Sequence, residues 1–113
     1  MTMARRNPVP PIDEEALASG CRQAAQRLDA ALGEAPEAIV AQVDAVERTV
    51  ARLRDGLIAH RRAGTATART SAALDRMNAI LSLIVAVEYP QGPMMRPYIE
   101  QARDSLLLIA GRA

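Results

Sequence analysis

Apolar residues along this chain recur every three and four positions in four separate segments, and punctuation residues divide the segments from one another. In the first, Leu17, Cys21, Ala24, Leu28 and Ala31 form one narrow stripe. Asp13 is placed to cap its start, Glu14 and Glu15 suit the dipole of its first turn, and Gly33 follows as a stop. The second carries the strongest periodicity. Ile39, Val43, Val46, Val50, Leu53, Leu57 and His60 alternate spacings of four and three, a coiled-coil-like heptad seam with Pro36 at the first helical position and Gly64 beyond the end. Such a helix is roughly 40 Å long. Gly56 is its one weak interior position. In the third segment Leu74, Met77, Leu81 and Ile84 share a stripe, with Ile80 and Val87 beside it, and Leu83 and Val85 spread apolar surface around the circumference. Its start lies between Thr65 and Ser71, where several residues can cap, and Pro90, Gly92 and Pro93 end it. The fourth, opening near Met94 or Pro97, turns Tyr98 or Ile99, Ala102, Leu106 and Ile109 inward, with Leu107 and Leu108 widening that face.

No stretch alternates as a strand does. The pattern therefore predicts an all-α protein, an antiparallel up-and-down bundle of four helices over about 13–32, 36–62, 67–89 and 95–110. Residues 13–113 form its single domain, and residues 1–12, with prolines at 8, 10 and 11, form an extended tail. The alanine-rich stripe of the first helix buries little area, so how fully that helix joins the core is open.

Composition narrows the chemistry. The chain has 113 residues, 50% of them hydrophobic, and a formal net charge of +1. All of its basic residues are arginines, which excludes a Schiff-base lysine and a Walker-type phosphate lysine. A single cysteine, Cys21, excludes an internal disulfide, and on the inner stripe it reads as a small core residue. The apolar run from Ala79 to Val87 is far short of the about 20 residues of a membrane span, and the amino end shows no secretory signal. A reducing, cytoplasmic setting is the expectation.

Charge is uneven. Residues 13–47 hold eight acids against Arg22 and Arg27, whereas residues 48–76 hold seven arginines against Asp55 and Asp75. Packing the first two helices antiparallel would set the acidic start of one beside the basic end of the other. The competing reading, a nucleic-acid patch built from Arg48, Arg52, Arg54, Arg61, Arg62 and Arg69, lacks lysines, aromatic neighbours and a helix-turn-helix pattern.

The string Ala59-His60-Arg61-Arg62-Ala63-Gly64-Thr65-Ala66 resembles the phospho-accepting segment of histidine-phosphotransfer domains. Those are four-helix bundles of similar size, in which a glycine four residues after the histidine lets a response regulator approach. The resemblance implies a signalling module with His60 as phospho-acceptor. Arg62 stands where that pattern has an apolar residue, Ala63 where lysine is common, and the later glycine is missing. The seam, for its part, places His60 at the buried end of the core stripe. No other catalytic constellation, metal-ligand set or cofactor fingerprint emerges, so a non-enzymatic protein without cofactor is expected. Glu88, closing the third helix, calls for an arginine such as Arg96 or Arg76.

The reading that remains is a bundle acting through protein–protein interaction, as a homodimer, adaptor or chaperone-like protein. The apolar surplus of the last two helices supplies the surface: Leu83, Val85, Tyr89, Met94, Met95, Leu107 and Leu108.

Overall fold

The computed structural model describes residues 13–88 and 95–111, the side chains at 36, 37 and 86–88 excepted. Four helices make up the fold: α1 (Glu14–Ala31), α2 (Pro36–Ala63), α3 (Ala68–Glu88) and α4 (Met95–Ile109). Each packs on its neighbours in sequence, and α1 also packs on α4, so the four close into a ring around one core. Contacts of α1 with α2 and with α4 run in opposite order along the chain. Gly20 meets Leu53 while Arg27 hydrogen-bonds Gln42, and Asp29 pairs with Arg103 while Leu32 accepts from Arg96. The proline-rich tail, Tyr89 and Met94 lie outside the described residues.

Local chemistry explains both ends of α1, the end of α2 and the start of α3. Asp13, in extended conformation, caps α1 by accepting from the Ala16 amide at 3.0 Å. No basic residue lies in the last turn of α1. Instead Arg96, from the first turn of α4, donates to the Leu32 carbonyl at 2.6 Å. The last turn of α2 closes in a Schellman motif. Gly64 takes φ 77°, the Thr65 amide returns to the His60 carbonyl at 2.9 Å, and the Gly64 amide returns to Arg61 at 3.1 Å. Helix α3 then starts at a point that its polar opening left undecided. Thr67 and Thr70 cap each other: the Thr67 amide donates to Thr70 Oγ1 at 2.8 Å, and the Thr70 amide donates to Thr67 Oγ1 at 3.1 Å. This is a capping box with threonine in place of the usual Glu or Gln. Thr70, 3% exposed, is one of only two buried polar residues among those described.

The core follows the stripes with three refinements. In α2, Ile39, Val43, Val46, Val50, Leu57 and His60 are buried, while Leu53 sits at the edge of the seam over Gly20. In α3 Ile80 is buried together with Leu74, Met77 and Ile84, and Leu81 is only half-buried. Helix α1 is fully part of the core, with Cys21, Ala24, Ala25, Leu28 and Ala31 all buried. Its small side chains let α2 and α4 approach closely.

The two interior glycines test this packing against each other. A methyl group at Gly56 would meet nothing within 4 Å, whereas one at Gly20 would meet Leu53 Cδ1 at 3.2 Å. Gly56→Ala is therefore expected to raise stability by about 0.5–1 kcal/mol, the full helix-propensity gain. Gly20→Ala should gain less, because Leu53 must move. Urea denaturation of both variants checks this, and equal gains would show that Gly20 is not a contact point.

Candidate functional site

Of the residues expected to form a docking surface, those described do not share one patch. Leu83, Met95 and Leu107 are half-buried against the core, while Val85 and Leu108 are each 43% exposed. Leu107 lines a shallow cleft between α1 and α4 beside Ala25, Gln26 and Arg103. Leu108, one step further around the helix, opens instead onto a larger cleft of about 400 Å3 at the end of the bundle, where the last turn of α4 stops against the opening turns of α1 and α3. Val85 lies near the far end of α3, more than two turns beyond Arg76, the last α3 residue at that cleft.

Val85 belongs to a different feature. From Met77 to Val87 α3 carries no charged residue, although Asn78, Ala79, Ser82 and Val85 are exposed. Asn78, Ser82 and Val85 fall on one stripe at helical spacing, with Ala79 beside it. The Ser82 hydroxyl donates to the Asn78 carbonyl at 3.2 Å, satisfying its proton within the helix. The outward face of this half of α3 is thus small, uncharged and weakly polar. The exposed face of α2 differs sharply, bearing Arg48, Arg52, Asp55, Arg61 and Arg62. Spacing of buried positions alone does not reveal the α3 face; its signal is an outer face whose polar residues carry no charge.

His60 is buried, 7% exposed, at the last turn of α2. Its Nδ1 lies 2.7 Å from Thr65 Oγ1, and that hydroxyl donates to the His60 carbonyl at 3.2 Å. The imidazole sits buried at the end of α2, held beside Thr65.

Four of the seven arginines between residues 48 and 76 form ion pairs among the described residues. Arg48 pairs with Asp44, Arg54 with Asp55, Arg61 with Asp75 and Arg69 with Glu14. The acidic start of α1 thus meets Arg69 of α3, while Arg61 near the end of α2 turns to Asp75. Arg103 holds α1 to α4, donating to Asp29 at 2.8 Å and to Asp104 at 3.1 Å. Those hydrogen bonds raise its already high pKa further, against a small opposing effect of burial. The side chain of Glu88, and with it the expected pair to Arg96 or Arg76, lies outside the described residues. No group of three or more His, Cys, Asp or Glu side chains among the described residues is arranged to hold a metal. No helix there is long and apolar enough to cross a membrane.

Cys21 is completely buried, and burial pushes its thiol up to about 11, with Arg22 opposing weakly. It is a packing residue of α1. Comparison of the chain with protein-family models, curated proteins and solved structures finds no match.

Proposed function

We propose that this protein works without catalysis, by binding protein chains through the uncharged outer face of α3, either as a homodimer or as an adaptor in a reducing, cytoplasmic setting. One observation carries the reading: Asn78, Ala79, Ser82 and Val85 are exposed, yet none is charged. A solvated helix face ordinarily carries charge, as α2 does, whereas the centres of protein interfaces are depleted of it. Small side chains also let a partner helix approach closely, and Val85 supplies an apolar anchor. Buried, tethered His60 gives the phosphotransfer alternative no comparable support.

Ser82→Arg tests the proposal, because it places a long cation in the middle of the face without touching the core. The parent protein is expected to associate, as read by light scattering at high micromolar concentration or by a photo-crosslinker at position 82. The arginine variant should lose that association while its melting temperature stays close to the parent's. A parent that remains monomeric and crosslinks to no host protein would overturn the reading.

A further inference from the structure

The 400 Å3 cleft at the end of the bundle stands apart from the α3 face and has a chemistry of its own. Three arginines and two glutamates border it. Arg22 is held by Glu15 at 3.0 Å and Arg69 by Glu14 at 3.3 Å. Arg76, the third, is exposed and has no hydrogen bond or ion pair among the described residues. The positive charge left over is reinforced by the start of α3, whose first turn contains no acidic residue to offset its dipole. The lining also includes the apolar side chains of Leu17, Ala73, Ile109 and Leu108, the last of these 43% exposed.

We infer that this cleft binds a small amphiphilic anion, with a carboxylate or sulfonate head on Arg76 and an apolar body against Leu108 and Ile109. The volume is that of a small-ligand pocket. An arginine is suited to a planar or tetrahedral oxyanion, and Arg76 needs to give up no partner among the described residues to receive one. The glutamates occupy the neighbouring guanidinium groups, so one anionic head is accommodated and a dianion is disfavoured.

The probe is anilinonaphthalene sulfonate, compared with N-phenylnaphthylamine, which has a similar aromatic body and no charge. Fluorescence titration of the full chain should show the sulfonate binding at least tenfold more tightly, and Arg76→Gln should abolish that preference. Arg52→Gln, which removes an exposed charge elsewhere, should leave it intact. So should Ser82→Arg, which separates this cleft from the docking face. Circular dichroism shows whether the Arg76 variant remains folded, which is expected for an exposed position. Failure of the sulfonate to bind, equal affinity for the two probes, or a preference unchanged in Arg76→Gln would each overturn the inference.

Discussion

Replacing Leu28 with alanine is expected to destabilise the protein by about 3–5 kcal/mol, the upper part of the range for a fully buried leucine. The reason is specific to α1. Its buried face otherwise consists of Cys21, Ala24, Ala25 and Ala31, so Leu28 is its one large side chain without solvent exposure. Neighbours held close by small residues have little freedom to collapse into the vacated space, which keeps the cavity contribution large. For a domain of this size the midpoint of thermal unfolding should fall by about 15–20 °C. Hydrogen exchange adds a directional test, because amides of α1 should lose protection before those of α2. A loss below about 1 kcal/mol would mean that α1 is not docked as described.

The second large effect concerns the Cys21 thiol. Burial shifts it from its ordinary 9.0 to about 11, which at pH 8 lowers the thiolate fraction by about 100-fold even before steric exclusion is considered. Alkylation of the native protein should therefore be slower than that of the unfolded chain by at least this factor, and should proceed through opening. Leu28→Ala, by easing that opening, should accelerate it. Immediate labelling of the folded parent at pH 8 would refute the placement of Cys21. The same shift fixes a pH dependence. A raised native pKa means that the native state holds the proton where the unfolded chain releases it. The contribution is complete below pH 9 and is lost as pH rises from about 9 towards about 11, amounting to about 2–3 kcal/mol. Cys21→Ala should flatten this part of the stability profile relative to the parent.

Helices α1 and α2 were legible because each carries one dominant spacing bounded by a recognisable cap, Asp13 at the start of α1 and Gly64 at the end of α2. In α2, seam and buried positions coincide except at Leu53, whose place depends on Gly20 of another helix. In α3, two adjacent stripes are both apolar, so periodicity alone cannot tell whether Ile80 or Leu81 goes deeper; the positions of α2 and α4 decide. The start of α3 was ambiguous for a similar reason. Several hydroxyl residues could cap, and only the reciprocal fit of Thr67 with Thr70 selects Ala68 as the first helical residue. Candidate sites were less legible still. Leu107 and Leu108 read as one widened face but open onto different clefts. The bundle-end cleft arises from where three helices stop relative to one another, which no local pattern encodes.

The hydrogen bond from Arg96 to the Leu32 carbonyl links residues 64 positions apart, so the carboxyl end of α1 is completed by α4, a helix synthesised much later. On the ribosome, α1 emerges with that carbonyl and its α4-facing side still open to water, and it must wait until α4 has followed α2 and α3. The hairpin of α2 and α3, joined by the tightly capped turn at Gly64 to Thr70, can form earlier from local contacts. Its assembly would therefore start at the middle of the chain and finish by joining the two outer helices.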